Sequence, residues 1–144
     1  MKEYTVVTVP SNPKYLSVIR AVAEAAAEVY GLGDHAREDV KLAVDEACSN
    51  VIKYAYRGDT DQKIVVKFLL AKSFEVVIED SGIKARPELI EGRSLEDVRP
   101  GGLGIHFIRR TFDVFAFDKT KEKGNRLRLI RHRREDSEDR DRGN

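Results

Sequence analysis

Apolar residues recur along this chain at two different intervals, and the changes of interval mark out its elements. From Tyr4 to Val9 they alternate weakly among β-branched residues, which predicts a strand ended by Pro10. Ser11-Asn12-Pro13 then has the composition of a helix start, and Tyr15 to Val29 is alanine-rich with apolar residues at helical spacing. Gly31-Leu-Gly33-Asp34 closes that helix and opens a second, expected from about Ala36 to Tyr56, with Val40, Val44, Ala47, Cys48, Val51 and Ala55 on one stripe. A turn at Arg57-Gly58-Asp59 leads into two strands, Lys63–Leu70 and Phe74–Glu79, paired as a hairpin. No period survives from Ser81 to Gly102. Leu103 to Thr111 reads as a short helix, Asp113 to Phe117 and Arg126 to Ile130 as strands, with a turn at Gly124-Asn125. The order β-α-α-β-β-loop-α-β-β predicts an α+β fold: a mixed, mostly antiparallel sheet of about five strands with about three helices on one face.

Composition narrows the class. At 144 residues the chain is long enough for one domain with its own core. We place that domain at 1–131 and a charged tail, expected to be disordered, at 132–144. Basic and acidic side chains number 26 and 25, a net charge of +1, so no global field draws the protein to nucleic acid or membrane. A single cysteine allows no internal disulfide and suits a reducing compartment. No run approaches the ~20 apolar residues of a membrane span, and none of the length of a signal sequence opens the chain. The expectation is a cytoplasmic protein.

Three segments hold candidate chemistry. On the second helix, Glu46 and Asn50 project within ~40° of each other and ~140° from the apolar stripe, with Lys53 on the same side. Such a polar face is ordinary on an amphipathic helix, although asparagine is a mediocre residue for its middle. Asp80 ends a strand and precedes Ser81-Gly82. It suits an Asx turn, in which the side chain binds its own backbone, and it equally suits a carboxylate that accepts from the exocyclic amine of adenine. Gly101-Gly102-Leu103-Gly104 opens a helix, where glycines admit a ligand close to backbone N–H groups. Neither the dinucleotide fingerprint nor the P-loop occurs, which excludes those nucleotide-binding classes.

In order and spacing these segments resemble the N, first-glycine and second-glycine boxes of the GHKL ATPase superfamily. Within it the chain is most similar to the small bacterial anti-sigma-factor serine/threonine kinases. The likeness rests on Asp45-Glu-Ala-Cys-Ser-Asn50 with Ala55-Tyr56, on Glu79-Asp-Ser-Gly82, on Arg99-Pro-Gly-Gly-Leu-Gly-Ile-His106 and on the closing Gly124-Asn-Arg-Leu127. The resemblance implies a Bergerat-type two-layer sandwich and ATP with Mg²⁺ as cofactors. Asn50 would ligate the metal. Glu46 would be the general base. Asp80 and Gly82 would hold adenine, and Gly101, Gly102, Leu103 and Gly104 would bring backbone to the phosphates. Arg20, on the first helix, would serve partner contact.

The function so implied is sequestration of a sigma factor and phosphorylation of a serine or threonine on an anti-anti-sigma (STAS-type) partner, by a homodimer. Two other readings stand beside it: a switch module that holds nucleotide without transferring phosphate, and a detached ATP-binding domain of a histidine kinase. The chain departs from its relatives in three places. Tyr54 stands where many carry a basic residue, Ile83-Lys84 replaces the continuation of Asp-x-Gly-x-Gly, and Asn125 replaces a threonine. Cys48, on the apolar stripe, reads as a small buried hydrophobe. His35, His106 and His132 lack metal-ligand spacing.

Overall fold

The computed structural model describes residues 3–86 and 104–134. Gly101, Gly102 and Leu103, most of the aperiodic stretch, and the tail from residue 135 lie outside the described residues. Strand β1 (Glu3–Pro10) leads through a single 3-10 turn (Pro13–Tyr15) into α1 (Leu16–Tyr30), then α2 (Asp34–Asn50). The hairpin β2 (Lys63–Leu70) and β3 (Ser73–Asp80) follows; α3 (Ile105–Thr111), β4 (Val114–Phe117) and β5 (Asn125–His132) complete the described chain. The five strands form one sheet in the order β1-β2-β3-β5-β4, and each neighbouring pair is antiparallel.

Local chemistry explains the boundaries. Asn12 caps the first turn, its side-chain oxygen accepting from the Lys14 N–H at 3.0 Å. Gly31 ends α1 in the left-handed region at φ 103°, where its N–H reaches the carbonyls of Ala27 and Glu28. The second helix does not run to Tyr56 as one α-helix. It gives way after Asn50 to a π turn, Val51–Ala55, in which the Tyr56 N–H donates to the Val51 carbonyl at 2.9 Å.

Strand alternation decides what faces the helices. Ile64, Val66 and Phe68 on β2, and Phe74, Val76 and Ile78 on β3, are buried beneath α1 and α2. Val40, Val44, Ala47 and Cys48 meet them from α2, as the apolar stripe predicts. Burying each large side chain contributes about 1.5–3 kcal/mol. Continued by two residues, the β3 alternation turns Asp80 toward the same inner layer, where it is 4% exposed. Its cross-strand partner is Asn125, the first residue of β5 rather than part of the preceding turn, and 7% exposed. A polar pair therefore ends an otherwise apolar inner face.

Candidate functional site

One backbone hydrogen bond and the Tyr56 side chain after it tie the π turn to the end of β3 and the start of β2. The Ile83 N–H donates to the Ala55 carbonyl at 2.9 Å. The Ser81 N–H donates to the Tyr56 hydroxyl at 2.8 Å, and that hydroxyl donates to the Lys63 carbonyl at 2.6 Å. Gly82 lies so close to this turn that a Cβ there would stand 2.6 Å from the Ala55 carbonyl carbon. No side chain fits, so the position requires glycine for space rather than for its dihedral freedom.

At Asp80 the structure shows the Asx turn, the first of the two readings that the sequence leaves open. Its carboxylate accepts from the Gly82 N–H at 2.8 Å, closing an Asx turn. It also borders a cavity of about 420 Å³, a size typical of small-molecule sites. Ile78, Ile105, Ile108, Phe115, Phe117 and Leu127 give this cavity apolar walls. Asp80 and Asn125 stand among them as polar groups, Asn50 and Tyr54 belong to the same lining, and Arg57, Lys84 and Arg86 add positive charge. Burial pushes the Asp80 carboxyl above its usual range, opposed by the bonds from Gly82 and Asn125.

Glu46 and Asn50 lie one turn apart near the end of α2, both half-buried. Asn50 borders the cavity; Glu46 is not in its lining. Gly104, which precedes α3 at φ 63°, rests directly on the Glu46 side chain. A Cβ on Gly104 would come within 2.6 Å of the Glu46 carboxyl carbon. Thus the first and last of the three segments meet through van der Waals contact, with α2 packed on α3. Burial raises the Glu46 carboxyl pKa, Lys53 opposes the rise, and Asp45 adds to it.

Arg20 sits apart from the cavity. Its guanidinium donates to Asp45 at 2.8 Å, tying α1 to the residue before Glu46. Cys48 is buried and its thiol is held well above the usual range by desolvation. Among the described residues no group of three His, Cys, Asp or Glu side chains could hold a metal. Sequence reasoning missed Tyr56 as a strut and the basic rim of Arg57, Lys84 and Arg86. The Ala55-Tyr56 pair contains the one signal that pointed toward the strut.

The fold and this site define a class. A family model of the histidine kinase-like ATPase domain matches residues 9–131, and the chain belongs to that family. Its curated relatives include the serine-protein kinase RsbW of Listeria monocytogenes serotype 4a, 32% identical over 122 residues that span 78% of each chain. RsbW of Bacillus subtilis is 27% identical over 120 residues, 77% of this chain and 75% of the relative. A crystal structure of the RsbU and RsbW domains of a Mycobacterium tuberculosis protein superposes with a TM-score of 0.62 at 15% identity. That match takes in 90% of this chain and 32% of the longer one, and it shows a common fold.

Proposed function

We propose that this protein binds ATP with Mg²⁺, phosphorylates a serine or threonine of an anti-anti-sigma (STAS-type) partner, and sequesters a sigma factor, acting in the cytoplasm as a homodimer. The observation that carries this reading is the convergence on one cavity edge of a buried acceptor carboxylate, Asp80, and an amide one turn from a raised carboxyl, Asn50 and Glu46. The donor set suits a purine nucleotide. Apolar walls fit the faces of a base, and Asp80 offers acceptor oxygens to an exocyclic amine. A site with a single amide oxygen suits Mg²⁺ as well, because that ion commonly keeps waters and phosphate oxygens as its remaining ligands.

In this reading Asn50 would hold the metal, which when bound neutralises the charge of the phosphates. Glu46 takes the proton of the partner's hydroxyl as that oxygen bonds to the γ-phosphorus. The bond from the γ-phosphorus to the bridging oxygen breaks, and ADP leaves with the electron pair. Arg20, fixed by Asp45, presents α1 to the partner.

Radiolabel transfer tests the proposal. Wild type should pass label from γ-labelled ATP to a purified anti-anti-sigma protein, and Glu46→Gln should bind ATP but pass none. Binding without transfer by wild type would leave a nucleotide-dependent switch module. Acid-labile label on a histidine would instead indicate a detached histidine-kinase domain. Failure to bind ATP at all would end both the proposal and the switch reading.

A further inference from the structure

Asn125 spends every polar atom it has on the protein. Its Nδ2 donates to Asp80 Oδ1 at 3.0 Å and Oδ2 at 3.2 Å, and to the Ile83 carbonyl at 2.9 Å. Its Oδ1 accepts from the Ala85 N–H at 2.7 Å. Chemistry fixes the orientation of this amide: the flipped form would set an oxygen against a carboxylate and a carbonyl, and an NH₂ against an N–H. Gly124 makes the approach possible. At φ 74° it lies so close to the end of β3 that a Cβ would stand 2.6 Å from Ser81 Cα. The pairing of Asp80 with Asn125 at the end of the β3–β5 ladder does the rest.

A base that enters the cavity therefore meets acceptor oxygens at Asp80 and no donor at Asn125, although both residues line the wall. An exocyclic amine finds a partner there. A ring carbonyl in the same place faces a carboxylate, with its own lone pairs directed at those of Asp80, and the desolvated pair is unfavourable. We infer that Asn125 is a specificity-determining positioning residue: by consuming its own donors on Asp80 and the 83–85 backbone, it restricts the site to purines with an amine, rather than a carbonyl, at the six-position. The inference rests on the nucleotide reading above and extends it to the choice of base. A hydroxyl at position 125 could rotate its proton toward a carbonyl; the pinned amide cannot.

ATP and ITP differ at that position of the ring, so their relative affinity reports the effect. Wild type should bind ATP in preference to ITP, and Asn125→Thr and Asn125→Ser should narrow the ratio by about tenfold, most of it through tighter ITP binding. With one donor removed from the carboxylate, the pH at which ATP affinity falls should also move upward in both variants. An unchanged ratio and an unchanged pH midpoint in a folded variant overturn the inference. A measurement on wild type guards against variants that unfold: the Asn125 carboxamide protons should exchange slowly by NMR in the nucleotide-free protein, because both are already bonded to the protein. Fast exchange that slows only when ATP binds would mean that the amide is not pinned and donates to the base, and the inference fails. Wild type that binds neither nucleotide defeats the functional reading itself, an outcome visible before any variant is made.

Discussion

The two ends of the candidate site are built differently. At the Asp80 end, hydrogen bonds from Gly82, Asn125, Ile83, Ser81 and Tyr56 cross-link β3, β5 and the π turn. At the Glu46 end, the side chain packs against Gly104, and the carboxyl stays half-buried with a raised pKa. One end is part of the architecture; the other is laid upon it. Substitutions at the Asp80 end should therefore disturb stability and base recognition together, whereas those at the Glu46 end should reach chemistry while the fold survives.

The largest expected effect breaks the two ends apart most cleanly. Glu46→Gln keeps shape and removes the proposed base, so phosphoryl transfer should drop by about 10²- to 10⁴-fold. ATP affinity should stay near wild type, and the melting temperature should not fall. A matching loss of ATP affinity would place Glu46 in ground-state binding. Next come the two glycines. Gly82→Ala drives a methyl group into the Ala55 backbone, which cannot give way without moving the π turn, and should cost about 1–3 kcal/mol of stability by urea titration. Gly104→Ala meets the Glu46 side chain from its Cγ outward, rather than backbone. Its stability cost should be close to the ~1–2 kcal/mol of a left-handed alanine, with a further loss of transfer rate because Glu46 is displaced. Equal profiles for the two variants would erase the distinction.

Much of this contrast was legible in the sequence, and the remainder was hidden for physical reasons. The apolar stripe of α2 and the two strands of the hairpin are local periods and can be read from the sequence; that the same alternation carries Asp80 to the inner face is seen only in the structure. The π turn is not local. Its geometry is completed by Ile83 and Gly82 docking on Ala55, residues far away in the chain, so a rule of 100° per residue stops being valid after Asn50. Asn125 carries a turn signal beside Gly124, yet it opens β5, because its partner Asp80 lies 45 residues earlier. Nothing in the spacing reveals that register. The basic rim of Arg57, Lys84 and Arg86 flanks aperiodic sequence, where no pattern orients a side chain.

A smaller effect is expected at the strut. Tyr56→Phe removes the acceptor of the Ser81 N–H and the donor to the Lys63 carbonyl, and buried groups left unsatisfied cost about 1–3 kcal/mol in total. Thermal melts should register the loss. ATP affinity should weaken too, since Ser81 positions the turn that follows Asp80. Preserved affinity with lowered stability would confine the strut to architecture.

The smallest effect is a matter of pH. Burial raises the Glu46 carboxyl, Lys53 lowers it and Asp45 raises it. With Glu46 proposed as the base, its deprotonated form is the active one, so transfer should slow as pH falls through the raised value, and the limb should be absent in Glu46→Gln. Replacing Lys53 with methionine removes the opposing charge and should shift that limb to higher pH; Asp45→Asn should shift it lower. Stability has the opposite sign. A carboxyl whose pKa is raised by folding contributes fully below its unfolded value, and that contribution is lost as pH rises through the folded value. Near neutral pH, Glu46→Gln should therefore melt slightly above wild type while transferring no phosphate. A variant that melts lower would show that the Glu46 carboxylate supports the fold, and the contrast between the two ends would fail at the residue that defines it.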